Sequence, residues 1–202
     1  YQQQFLGTAA AAGESSVNYT KCHEHPGVAE RMHRHLPDVR LIYMVRDPFD
    51  RIESHWVHAV GEGELRGNLS HALRDLDRST LVQTSRYWTQ LAPFLERYDR
   101  GQIRVLSYDD FAADPRGVLR GVLEFVGVGP DFDHPIVGER IHDSGAKRRP
   151  PRWAMPIWGD PKNYRYRRRV KRLFGRPIDP PEWTPRDRER VREYLQPEVD
   201  AL

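Results

Sequence analysis

Six residues between positions 46 and 58 have the types and spacing of an anion site: Arg46, Asp47, Pro48, Arg51, Ser54 and His58, in the segment LIYMVRDPFDRIESHWVH. A guanidinium and a hydroxyl can hold a phosphate or sulfate by charge-assisted hydrogen bonds. Leu41–Val45 is an unbroken apolar run of strand length, and Asp47-Pro48 is a helix start, with Asp50 placed to complete a capping box. Arg46 therefore falls at the carboxyl end of a strand, where open α/β sheets bind ligands. The helix that follows is expected to offer free backbone N–H groups at the same place. Arg51, Ser54 and His58 are spaced three and four apart and share a face of that helix. Without a ligand, the same residues make a helix cap in which Asp47 closes the first turn and pairs with Arg51, and His58 is an ordinary packed or surface histidine.

Two other groups of residues bear on chemistry. Cys22-His23-Glu24-His25 offers four metal-ligating side chains in a row, too tightly spaced for one tetrahedral site; a surface turn is the better reading, and no metal is expected. Residues 146–176 hold 12 basic side chains and one acid, Asp160. That segment should attract polyanions or multiply charged small molecules, or else form a solvated basic face.

The pattern R-D-P-x-x-R-x-x-S-x-W at 46–56 resembles the nucleotide-binding signature of sulfotransferases that use 3′-phosphoadenosine 5′-phosphosulfate (PAPS), in their bacterial and heparan-type branch. In that family the arginine and the serine eight positions later bind the nucleotide 3′-phosphate, and Arg46 and Ser54 match them. His58 matches a histidine at the reaction centre of the heparan N-sulfotransferases. GESSVNY at 13–19 resembles the family segment G-E-K-[TS]-P-x-Y, whose glutamate is the general base. Glu14 is the match, while Ser15 and Val17 replace the family's lysine and proline. HDSGAKRRP at 142–150 resembles the late loop that closes on the nucleotide, which implies nucleotide contacts from Ser144, Lys147, Arg148 and Arg149.

The resemblance implies in-line transfer of a sulfuryl group from PAPS to a hydroxyl or amine of a saccharide, lipid or small molecule. No metal takes part, and 3′-phosphoadenosine 5′-phosphate is the product. Positioning and electrostatics would carry catalysis, as in phosphoryl transfer. Glu14 would accept the acceptor's proton, and a carboxylate of ordinary pKa is a weak base unless partly desolvated. Tyr19, Tyr87, Trp88 and Trp153 are candidate walls for the adenine, and Tyr19, Arg86 and Tyr87 are candidate acceptor contacts. The implied fold is a three-layer, P-loop-NTPase-like α/β sandwich, with a parallel sheet flanked by helices. The family's Gly-rich K-x-G-[TS]-[TS] loop has no match from Tyr1 onward. The expectation is that this loop and an N-terminal strand lie upstream, and that the chain as it stands is catalytically crippled.

Other classes of function remain open. The stretch KNYRYRRRVKRLF at 162–174 interleaves aromatics with arginines, as a nucleic-acid or polyanion-binding module would. No nucleic-acid fold signature accompanies it, so no nucleic-acid partner is expected. A peripheral contact with a membrane or polyanion through 162–176 is the alternative use of those residues. A small-molecule kinase and a non-catalytic glycan-binding relative are the remaining readings. The bacterial style of the motifs suggests a cytoplasmic enzyme.

The elements that must position these residues follow from periodicity. Helices are predicted over 26–36, from Pro48 to about Val60 with a stop at Gly61, and over 69–76, 87–98 and 163–174. Others start at Asp114-Pro115 and at the capping box Thr184-Pro185-Arg186-Asp187, the last running to about Leu195. Strands are predicted at Leu41–Val45, buried on both faces, and at 102–108. Residues 130–162 have no clear period and read as an irregular segment covering the nucleotide or substrate. The 202 residues, with 38% hydrophobic and 30% charged side chains and a net charge of +3, suit one domain over 1–202, closed by C-terminal helices from 163. A single cysteine excludes a disulfide framework, and no apolar run is long enough to span a bilayer.

Overall fold

In a computed structural model of the chain, residues 11–130, 137, 147–157 and 164–202 are described. In chain order the elements are α1 (Val28–His35), β1 (Leu41–Val45), α2 (Pro48–Glu62), α3 (Leu69–Ala72), α4 (Thr80–Gln83), α5 (Tyr87–Leu95), β2 (Ile103–Ser107), α6 (Tyr108–Ala113), α7 (Pro115–Val126), β3 (Arg148–Arg149), α8 (Tyr164–Phe174), β4 (Arg176–Pro177) and α9 (Pro185–Asp200). They fall in two compact units. One is Tyr1–Arg46 with Tyr87–Glu139, and the other is Asp47–Arg86 with Arg140–Leu202.

In the first unit β1 and β2 pair in parallel, in register from Leu41 opposite Ile103 to Val45 opposite Ser107. A parallel pair requires a long crossover, and the residues between the strands supply it. Ala29, Phe94 and Tyr98 form the buried centre, with Leu41 and Ile103 packed against them. The Tyr98 hydroxyl donates to the Leu36 carbonyl at 3.2 Å, and burial pushes this phenol's pKa up. Arg104 donates to the Gly121 carbonyl at 3.0 Å and so ties α7 to β2. A Cβ at position 121 would stand 3.0 Å from that guanidinium, so the glycine makes the approach possible. β1 is not buried on both faces as its apolar run predicts. Leu41 meets the core, whereas Ile42 and Met44 are 44% and 43% exposed, because among the described residues the helices cover chiefly one side of the strand.

The second unit has the larger core, made of Ile52, Trp56, Val57 and Val60 of α2 with Leu69, Leu73, Leu81, Val82, Ile178, Val191 and Leu195. Ile52, Trp56 and Val60 recur every four residues, which turns one stripe of α2 inward and sets Ser54, His58 and Glu62 on another. The helix runs past the predicted stop. Gly61 is buried inside it, where a Cβ would lie 3.4 Å from Ile178 Cδ1, and the terminator is Gly63 at φ 77°. Glycine thus serves chain reversal at 63, whereas a Cβ at 61 would make only an ordinary van der Waals contact. The predicted helix over 69–76 shortens to α3, because Asp75 takes the amides of Asp77 and Arg78 at 3.1 and 3.2 Å and turns the chain. α9 starts where its capping box predicts, with Thr184 Oγ1 accepting from the Asp187 amide at 3.0 Å.

Candidate functional site

Arg46 stands at the carboxyl end of β1, in the first unit, half-buried. Its guanidinium lies over the Tyr108 ring, 5.0 Å from the centroid, a cation–π contact. Its backbone N–H donates to the Tyr87 hydroxyl at 3.3 Å. Tyr87 is buried and meets Tyr43 edge to face at 6.1 Å. The residue read as an acceptor contact therefore supports the backbone that presents Arg46. Tyr108 escaped sequence analysis because it follows a strand without a break; Ser107 caps α6 by accepting from the amides of Asp109 and Asp110. Glu14 is exposed in an irregular stretch, Tyr19 is half-buried in a turn, and Trp88 is half-buried. The Cys22 thiol donates to the Thr89 carbonyl, and His23 lies 3.5 Å from Glu24. Desolvation holds the His23 imidazole below its ordinary pKa, against the pull of Glu24.

The second unit opens at Asp47. The Asp47 carboxylate accepts from the amides of Phe49 and Asp50 at 2.9 and 3.1 Å, Pro48 has no N–H, and the Arg51 amide bonds the Asp47 carbonyl at 2.9 Å. The first turn of α2 is closed by its own residues. The expectation that this helix start presents free amides to an anion is corrected, and side chains must supply the donors. The chemistry of the donor set still fits a phosphate, since a guanidinium and a hydroxyl of this pattern are both donors to anionic oxygens.

Along the outward stripe of α2, Ser54 is half-buried, His58 follows one turn on, and Glu62 one turn later. Lys147 Nζ lies 3.4 Å from His58 Nδ1. Desolvation and then the Lys147 charge hold the imidazole below its ordinary pKa, with Glu62 pulling the other way. A neutral ring beside an ammonium accepts at Nδ1 and keeps its proton on Nε2. Desolvation also lowers Lys147, helped by Lys171 and opposed by Glu62. Glu62 receives Arg167 at 2.8 Å and Lys171 at 2.7 Å, both from α8. Burial alone would raise its carboxyl, but the hydrogen bond and charge of Lys171, with Arg167, hold it below its ordinary pKa.

Of the residues read as nucleotide contacts in the late loop, Lys147 meets α2, whereas Arg148 donates from Nε and Nη2 to the Gly175 carbonyl at 2.9 and 2.7 Å. Arg148 thereby staples β3 to the strand beside it. Arg149 is exposed, and Ser144 and most of the 130–162 segment lie outside the described residues. Arg86, read as an acceptor contact, donates to Glu198 at 2.9 Å and to Gln83 at 3.2 Å, and stands over the Tyr194 ring. Glu198 is buried, and a buried carboxylate needs such a partner. Glu62 and its two cations went unread; the one visible signal is the four-residue spacing of His58 from Glu62 and of Arg167 from Lys171.

A model described as "Sulfotransferase family" matches residues 1–133. The chain is 29% identical over 123 residues to the heparan sulfate glucosamine 3-O-sulfotransferases 3B1 and 3A1 of Mus musculus, covering 57% of this chain and 30% of each relative. It thus spans less than a third of the length of these curated relatives. The crystal structure of a sulfotransferase from Alicyclobacillus acidocaldarius matches with a TM-score of 0.68 and 23% identity, over 100% of this chain and 68% of that one. That likeness shows the fold, the P-loop-like α/β arrangement expected from sequence.

Proposed function

The chain belongs to the sulfotransferase family, and we propose from that premise that it takes part in moving a sulfuryl group from PAPS to an acceptor hydroxyl or amine. The observation that carries this reading is the meeting of Lys147 with His58 at 3.4 Å, on the helix that also bears Ser54. Two segments that the family resemblance assigns to the nucleotide, one on α2 and one in the late basic loop, supply the two partners. PAPS contributes an activated sulfuryl group and a 3′-phosphate by which to hold it. In this reading the Arg46 guanidinium and the Ser54 hydroxyl donate to that phosphate. Tyr87 and Tyr108 hold Arg46 in place. Lys147 and Arg149 add positive charge for the nucleotide.

His58, its proton kept on Nε2 by Lys147, donates a hydrogen bond at the reacting group. The acceptor oxygen or nitrogen bonds the sulfur, its proton passes to the Glu14 carboxylate, and the bond from sulfur to the phosphate oxygen breaks with the electron pair leaving on that oxygen. The names of the murine relatives make a saccharide hydroxyl the first acceptor to try. Calorimetric titration with 3′-phosphoadenosine 5′-phosphate tests the reading. Arg46→Ala and Ser54→Ala should each weaken binding by about tenfold or more, as expected for loss of a charge-assisted hydrogen bond, while adenosine 5′-phosphate binding changes little. Equal losses for both nucleotides would refute the 3′-phosphate contact.

A further inference from the structure

α8 is amphipathic in an unusual way, with a basic arc beside an apolar arc that the protein only half covers. At about 100° per residue, Arg168, Arg172 and Arg169 share one arc, Tyr166 and Leu173 the next, then Val170 and Phe174, then Arg167 and Lys171. The last two face Glu62, and Val170 is buried with Ala154. The apolar arc therefore runs from a covered edge to an open one. Leu173 and Phe174 are 66% and 59% exposed, and Trp153, 59% exposed, meets Phe174 edge to face at 5.9 Å. Arg152, Arg168, Arg169, Arg172 and Arg176 around this ridge are all exposed, and among the described residues no ion pair forms to any of them.

We propose that this surface, the Trp153–Phe174–Leu173 ridge with the arginines of α8, docks on an anionic phospholipid membrane. Charge complementarity selects a polyanion, and the ridge selects one with an apolar interior. Leucine cannot stack on a base and gains nothing from a hydrated polysaccharide, whereas leucine, phenylalanine and tryptophan beside arginines suit the boundary between headgroups and acyl chains. Among the described residues no helix is long and apolar enough to cross a membrane, so the contact is peripheral. This inference does not rest on the sulfuryl-transfer reading: of its residues only Trp153 is also a candidate wall for the adenine, and Leu173, Phe174 and the arginines have no part in the proposed donor contacts.

The test is co-sedimentation of the 202-residue chain with vesicles of phosphatidylcholine alone or with about 30% phosphatidylserine, at ~0.1 M salt. Association is expected with the anionic vesicles and not with the neutral ones. R168Q/R169Q/R172Q should weaken it on the order of a hundredfold. The exposed substitution Leu173→Ser, with circular dichroism and melting temperature as folding controls, should weaken it several-fold. Brominated acyl chains should quench tryptophan emission in the native chain and not in Trp153→Phe. Failure to bind the anionic vesicles overturns the proposal. So does retention of full vesicle binding by Leu173→Ser, or equal binding of that variant and the native chain to heparin or RNA in preference to vesicles, which would identify a soluble polyanion as the partner.

Discussion

Lys147 and His58 form a pair of two bases, and its chemistry depends on which of them carries charge. Removing the ammonium in Lys147→Met removes the second cause of the depressed imidazole and leaves the first, desolvation. The His58 pKa should rise part of the way toward 6.5, followed by the ring proton resonances in an NMR titration. No rise would show that the two groups do not sense each other. The placement of Arg46 at a strand end and of Ser54 and His58 one turn apart on α2 was legible because their spacing is local and patterned. The same local logic could not foresee the partner of Arg86, because Glu198 is 112 positions away and leaves no mark on the surrounding sequence. Nor does the local sequence show that Tyr87 is buried and accepts from the Arg46 amide.

Among the elements, α2 and α9 were placed well because caps are written in residue types, Asp47-Pro48 and Thr184-Pro185. The short helices α4 and α6 have too few residues for a period to show. Asp47→Ala removes the acceptor for two amides and should destabilise the fold by about 1 kcal/mol, lowering the melting temperature by about 3 °C in a calorimetric scan. Glu62 fastens α8 to α2 through both of its oxygens. Glu62→Gln should therefore speed amide exchange across Tyr164–Phe174 by roughly tenfold while leaving α9 unchanged. Exchange that stays uniform would mean that Val170 and its neighbours, not the ion pairs, hold the helix.

For the molecule as a whole, several displaced pKa values act together when acid is added. His23 and His58 lie below their ordinary value in the folded chain, so the unfolded chain binds more protons, and stability is lost as pH falls through about 6.5. Asp187 is lowered by hydrogen bonds from Ser70 and Thr184, and Glu62 chiefly by Lys171; their stability is present above the unfolded values near 3.8 and 4.5 and lost below them. Urea midpoints should fall in two steps, a shallow one between about pH 7 and 5 and a steeper one below about 4.5. The first step should shrink in the double variant His23→Gln/His58→Gln. An acid limb with a single step would place the histidines outside the linkage. The division of the chain into two units was not legible, because it depends on which distant segments meet and not on any linker composition.

The self-capped start of α2 has an evolutionary corollary. A ring of main-chain amides would accept almost any small oxyanion and could be altered only by rebuilding the loop. With those amides committed to Asp47, any recognition at this helix start is left to side chains. A side chain can be exchanged by one codon change while the cap, and with it the scaffold, stays as it is.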